Sequence, residues 1–282
     1  MSAGTEEPFH SVDVSSITRS PLRATLRTPD GVPIEAVFES CTGREDGADG
    51  GPGPAGGTGT AIVVAHGFTG AASRPAIRRA ARVFGSRAGV VTFSFRGHGG
   101  SGGRSTVGDR EVWDLAAAVA WARELGHTRV VTAGFSMGGS VVLRHAALHR
   151  PDPRTRADAV AAVSAPARWY YRGTAPMRRL HWVVTRPAGR LVGRYGLRTR
   201  IHHRDWDPVP LSPVEAVPLI APTPLLIVHG DRDPYFPVDH PRMLAEAAGG
   251  NAELWLEPGM GHAENAAGVG LLGRMADWLV AA

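Results

Sequence analysis

Hydrophobic and polar positions follow two rhythms along this chain. Residues 22–28 and 32–39 alternate with period two around Pro29-Asp30-Gly31, which predicts a β-hairpin. Six later runs are almost continuously apolar and rich in Val and Ile: 61–65, 89–93, 129–133, 159–163, 224–228 and 252–256. Runs of this kind suit strands buried on both faces. Between most of them the spacing becomes helical. Val112, Leu115, Ala116 and Val119 fall on one helical face, as do Leu271, Leu272, Met275, Trp278 and Leu279 near the end. Strands alternating with helices predict an α/β fold, a mostly parallel central sheet covered by helices on both faces.

Two segments depart from this rhythm. Residues 43–59 are almost entirely Gly, Pro, Ala, Asp and Thr, a composition that cannot bury a core and predicts a surface loop. Between Val163 and Pro224 there is no strand–helix–strand unit, only a long insertion carrying aromatic residues and arginines. Open α/β sheets bind ligands at the C-terminal edge of their strands, and an insertion at this point would cap that edge. The expected organisation is a polar tail over 1–20, a core over 21–164 and 219–282, and a cap over 165–218.

Composition narrows the setting. A chain of 282 residues with 43% hydrophobic residues can bury a sizeable core. It has no uncharged apolar run long enough for a membrane span. The start, Met1 to Pro8, lacks the basic and apolar stretches of a secretory signal, and Cys41 is the only cysteine. The expectation is a cytoplasmic protein without disulfides. Every one of the 31 basic residues is arginine, and ten of them lie between Arg168 and Arg204, where there is no Asp or Glu. The rest of the chain has 21 arginines against 26 acids, so the net +5 comes from the insertion. Arg186, Arg190, Arg194 and Arg198 are spaced by four and would share one face if that stretch is helical. Such a surface is either a solvated arginine face over packed aromatics or a dock for an anion. The anion could belong to a small-molecule acyl substrate, an acidic acyl carrier or a membrane surface. No nucleic-acid-binding motif accompanies the arginines, and nucleic acid is not expected as a partner.

The chemistry centres on Gly134-Phe135-Ser136-Met137-Gly138, set between the apolar run 130–133 and a helical pattern over Val141, Val142, Leu143 and Ala146. A serine in a G-x-S-x-G turn between strand and helix is a nucleophile elbow, in which a sharp turn lifts the hydroxyl clear of the backbone. A hydroxyl needs a base, and the base an orienting acid. In chain order these should follow later strands. His262 lies in a Gly-x-Gly-His turn after the last apolar run and is the expected base. Asp233 is the expected acid, with Asp231 as its rival in the same loop. The amide of Met137 and that of Phe68, in the loop His66-Gly67-Phe68 after the first core strand, are the expected oxyanion donors. His66 and Gly67 are expected to shape that turn. The triad requires neither cofactor nor metal, and no Cys/His metal spacing is present.

These motifs together resemble the α/β-hydrolase fold enzymes of the esterase, lipase and perhydrolase type. The likeness rests on His66-Gly67-Phe68, Arg96-Gly97-His98-Gly99-Gly100-Ser101, the elbow at Ser136, His229-Gly230-Asp231-Arg232-Asp233 and Gly261-His262. The resemblance implies that Asp233 rather than Asp231 is the acid, from the family's His-Gly-x-x-Asp pattern. It implies a serine hydrolase acting on a carboxylic ester or related acyl bond. Acyl transfer, perhydrolysis, and thioester or amide cleavage use the same triad. A ligand-binding homologue without turnover is the alternative from another class. Ser136 excludes displacement by a carboxylate nucleophile. Val163-Ser164-Ala165-Pro166 offers no carboxylate where some relatives carry the acid.

Overall fold

The computed structural model describes residues 20–42 and 59–282. The tail 1–20 and the glycine-rich segment 43–59, expected from sequence, lie outside the described residues apart from Ser20 and Gly59. In chain order the elements are β1 (Leu22–Arg27), β2 (Pro33–Glu39), β3 (Thr60–Ala65), α1 (Pro75–Phe84), β4 (Gly89–Phe93), α2 (Glu111–Glu124), β5 (Arg129–Phe135), α3 (Met137–His149) and β6 (Val160–Val163). There follow α4 (Ala175–Thr185), α5 (Pro187–Tyr195), α6 (Pro213–Ala216), β7 (Leu225–Gly230), α7 (Asp239–Ala247), β8 (Ala252–Glu257), α8 (Ala263–Ala266) and α9 (Val269–Ala281).

The strands form one eight-stranded sheet in the order β1-β2-β4-β3-β5-β6-β7-β8. In the predicted hairpin β1 pairs antiparallel with β2, β2 alone runs against the remaining strands, and β3 to β8 are parallel. The apolar runs of β3 to β7 are buried because both faces of the sheet are covered, whereas the run in β8, the edge strand, is only partly buried, contrary to expectation. Ile62 and Val64 of β3 point to the side of α1 and α9, where Ile77, Phe84, Leu272 and Met275 pack on them. Ala61 and Val63 point to the other side, toward Leu115, Val119 and Val142 of α2 and α3. The chain leaves β3 to form β4 on one flank, then returns to form β5 on the other. Loops after β3 and β5 therefore diverge, which opens a crevice at the strand ends.

The strands that end at this crevice run longer than the apolar pattern indicates. β5 continues through Gly134 and Phe135 up to Ser136, and β7 through His229 and Gly230. These residues are buried, yet Gly and His carry no strand signal of their own.

The insertion between β6 and β7 contributes the helical pair α4 and α5. Thr174 accepts from the Met177 amide at the start of α4, and Pro187 opens α5 at its first turn. Arg186 and Arg198 fall outside these helices, so the four arginines spaced by four do not share one continuous helical face. Arg186 is the extended junction between α4 and α5, and Arg198 follows α5 with φ of 55°. Proline in the register of a helix breaks it at the preceding residue. The far end of the insertion is stitched to the body by amides: Ser105 N donates to Arg200 O at 2.7 Å and Arg200 N to Gly97 O at 2.9 Å.

Candidate active site

Ser136 sits between the end of β5 and the first turn of α3 with φ 53° and ψ −113°. This is a sparsely populated conformation for a serine and costs about 1–3 kcal/mol, so its surroundings must hold it. Its amide donates to Val163 O on the neighbouring strand at 2.8 Å. The flanking glycines answer to space. A Cβ at Gly134 would strike the carbonyl of Gly138, and one at Gly138 would strike the carbonyls of Ala65 and His66. The G-x-S-x-G spacing thus follows from how closely α3 crosses β3 and β5.

Parallel topology brings the distant partners to the same edge. His262 follows β8, and its Nε2 lies 2.8 Å from Ser136 Oγ. Its Nδ1 lies 2.7 Å from Asp233 Oδ2 in the loop after β7. The Asp233 side chain is fully buried, and its other oxygen accepts the amides of Tyr235 at 2.8 Å and Phe236 at 3.1 Å. Burial pushes the Asp233 carboxyl up. The hydrogen bond and charge of His262 and the two amides outweigh burial, and the group is held below the usual carboxylate range. An ionised Asp233 is an acceptor only, so Nδ1–H donates to it and Nε2 is left to accept the serine proton. The imidazole is also packed in place, with Tyr235 at a ring separation of 4.3 Å and Phe236 at 5.7 Å. Asp231 is not in this arrangement: it is exposed and accepts the Gly259 amide at 2.6 Å.

Phe68 and Met137, whose amides are the expected oxyanion donors, line the same cavity as Ser136. Met137 is the first residue of α3, so its N–H has no acceptor within the helix. Phe68 follows β3, and its amide has no protein acceptor among the described residues. The loop that carries Phe68 is fixed by buried imidazoles. His66 Nδ1 donates to Gly67 O at 2.7 Å, and its Nε2 accepts the Phe95 amide at 3.0 Å. His98 Nε2 accepts the Thr69 amide at 3.3 Å. Burial, with the like charges of His98 and Arg74, lowers His66 to about 3, so it stays neutral and keeps both bonds. His66 thus shapes the turn, as expected from sequence.

Several residues that support the site carry no signal in the sequence. Glu264, two residues past His262, is buried and accepts the Gly67 amide at 3.1 Å. Ser164 Oγ accepts the Ala263 amide at 3.0 Å and so anchors the loop of His262 to the end of β6. Glu111 accepts the amides of Thr106, Val107 and Gly108 and the hydroxyls of Ser105 and Thr106, all within 3.2 Å. That shapes one wall of the cavity beside Ser136. Nothing in the spacing of Ser, Thr and Glu distinguishes these residues from surface ones; only the tertiary contact does.

The cavity has a volume of about 510 Å³. Phe68, Ser136 and Met137 line it from the body, and Trp169, Leu180 and Val184 from the insertion. No cluster of His, Cys, Asp or Glu among the described residues could hold a metal ion.

Comparison with known proteins agrees with this fold. Residues 60–177 match the family model described as alpha/beta hydrolase fold. An esterase of Pyrococcus furiosus superposes with a TM-score of 0.68 at 20% identity, over 92% of this chain and 90% of that one. A Xanthomonas campestris protein described as an α/β serine hydrolase without lid gives 0.58 at 19% identity, over 93% and 92%. Est1E of Butyrivibrio proteoclasticus, solved with ferulic acid, gives 0.55 at 18% identity, over 91% and 96%. With its sheet order, its strand-to-helix serine turn and these likenesses, the chain has the α/β-hydrolase fold.

Proposed function

We propose that the protein is a serine hydrolase that cleaves a carboxylic ester through an acyl-enzyme, with Ser136, His262 and Asp233 as its triad. The observation that carries this reading is the unbroken hydrogen-bonded line from Ser136 Oγ through His262 to a buried carboxylate. Ser136 Oγ attacks the ester carbonyl carbon while His262 Nε2 takes its proton. The carbonyl oxygen becomes an oxyanion, held by the amides of Phe68 and Met137. His262 then gives its proton to the alkoxide as the ester C–O bond breaks, leaving Ser136 acylated. Water, deprotonated by His262, attacks the acyl carbon and releases the acid and the free serine. Asp233 keeps the imidazole in the tautomer that accepts from Ser136 and stabilises its charged form.

The insertion serves in this reading as a cap that supplies the apolar wall for a small-molecule acyl substrate. Arg172, Arg190 and Arg204 also line the cavity, and none is paired with a carboxylate among the described residues. They suit a substrate that bears an anionic group.

Other acceptors or leaving groups would use the same acyl-enzyme, and pocket shape decides between them. Hydrolysis of p-nitrophenyl esters of increasing acyl length, beside one thioester and one anilide, tests the reading. Ester turnover that is fastest at one acyl length and lost in Ser136→Ala is expected. Absence of any turnover dependent on Ser136 would refute it.

A further inference from the structure

The cavity uses only one side of the helical pair in the insertion. α4 turns Met177, Leu180, His181 and Val184 toward the cavity. The opposite side of α4 and the outer side of α5 hold Trp182, Leu191, Val192 and Tyr195 in solvent, with 47%, 59%, 45% and 74% of their surface exposed. The helix contact itself produces this. α5 meets α4 through Gly189 and Gly193, and a Cβ at Gly189 would strike the Trp182 carbonyl. With the small residues turned inward, the large side chains of α5 face out.

Exposed Arg178, Arg179, Arg186, Arg194 and Arg198 share this pair and its ends. Of the ten arginines between Arg168 and Arg204, only Arg168 meets a carboxylate among the described residues, Asp239 at 3.1 Å. Arg194 lies over the ring of Tyr195 at 5.5 Å, so charge and apolar surface are presented together. Large apolar side chains within a ring of arginines match the boundary between lipid headgroups and acyl chains, where the rings and leucine enter and the guanidinium groups meet phosphate.

We propose that the outer face of α4 and α5 docks this protein on an anionic lipid surface. The charge selects this occupant. A second copy joined by a two-fold axis would bring the same arginines face to face with no acid to balance them. An acidic protein would satisfy the charges but does not by itself account for four protruding apolar side chains. No helix among the described residues is long and apolar enough to cross a membrane, so the docking is to the surface. The inference does not depend on the chemistry proposed for Ser136.

Sedimentation of the full chain with vesicles tests it, using phosphatidylcholine alone and phosphatidylcholine mixed with phosphatidylglycerol. Binding to the mixed vesicles, weakened by salt, and little binding to phosphatidylcholine are expected. Each arginine held at an anionic surface strengthens binding about fivefold, so Arg179→Gln, Arg186→Gln and Arg194→Gln together should weaken it roughly a hundredfold. Leu191→Ser with Tyr195→Ser should weaken it at least about tenfold, because the apolar contribution is lost. Thermal melting that matches the parent protein verifies that these surface variants fold. Ser136→Ala should bind vesicles like the parent, which separates this proposal from the one for the active site. Equal binding to both vesicle types, no binding to either, or full binding by the triple arginine variant would overturn it. So would sedimentation velocity showing a dimer that Leu191→Ser with Tyr195→Ser dissolves, since the face would then belong to a second copy.

Discussion

Glu264 accepts the amide of Gly67 at 3.1 Å across 197 positions of sequence. This one contact joins the loop that carries His262 to the loop that carries Phe68. It occupies the Gly67 amide and leaves the next one, that of Phe68, available for the oxyanion of the proposed mechanism. A hydrogen bond to a charged group contributes about 1.5–3 kcal/mol. Glu264→Ala should therefore lower kcat/KM for a p-nitrophenyl ester by about ten- to a hundredfold. Glu264→Gln, whose amide oxygen can still accept from Gly67, should recover most of it. An alanine variant as active as the parent would mean that the loop keeps its shape without the carboxylate.

The two aspartates after β7 should separate cleanly. Asp233→Asn leaves the imidazole without its anionic partner and favours the wrong tautomer, which should reduce kcat by about 10⁴-fold. Asp231→Asn should stay near the parent rate, because Asp231 only holds the Gly259 amide at the surface. Steady-state kinetics on both variants decide the assignment; a larger loss at Asp231 would reverse it.

A buried ion pair ties the hairpin to the site. The Arg96 guanidinium bonds Asp114 at 2.7 Å and 2.9 Å, and Asp30 in the β1–β2 turn at 2.8 Å and 3.0 Å. Arg96 and Asp114 are almost completely shielded from water. Without Asp114 the buried Arg96 keeps only Asp30, whose side chain is partly exposed, so the loss should reach up to about 3–5 kcal/mol, the cost of an unmatched buried charge. Asp114→Ala should show a loss of that size in urea unfolding, whereas Arg87→Ala, whose partner Asp277 is exposed, should change little.

Two buried histidines should lower stability in acid. Burial, with the charges of His98 and Arg74, lowers His66 to about 3; burial, with Arg168 and His229, lowers His240 to about 4. Each is neutral in the folded protein and protonated more readily once unfolded. As pH falls below the ordinary histidine value of about 6.5, the unfolded state binds more protons, and stability decreases. The decrease continues until pH passes the folded values near 4 and 3. Asp233, held below its usual range, adds loss in the same direction at the acid end. Unfolding midpoints in urea should fall steadily from neutral pH toward about pH 4. A flat profile would show that these imidazoles are solvated.

The fold was legible because a doubly covered sheet demands apolar strands. The runs at 61–65, 89–93 and 130–133 are buried throughout. The elbow was legible because steric contact with the carbonyls of Ala65, His66 and Gly138 leaves only glycine at 134 and 138. The choice of Asp233 over Asp231 was not available from local chemistry, since both favour the same turn. It depends on which side chain turns inward beneath Tyr235 and Phe236. The arginines spaced by four do not form one face because Pro187 sets Arg186 at the junction of two helices and Arg198 lies beyond the end of α5. Glu264, Ser164 and Glu111 escaped because their roles lie in contacts that close only when distant loops meet.

Labelling with a fluorophosphonate probe, followed by peptide mapping, tests the relay most directly. The account predicts rapid attachment at Ser136, strong slowing in His262→Ala and Asp233→Asn, and an unchanged rate in Asp231→Asn. Folded parent protein that takes no label at Ser136, or labels as fast without the imidazole of His262, would contradict it.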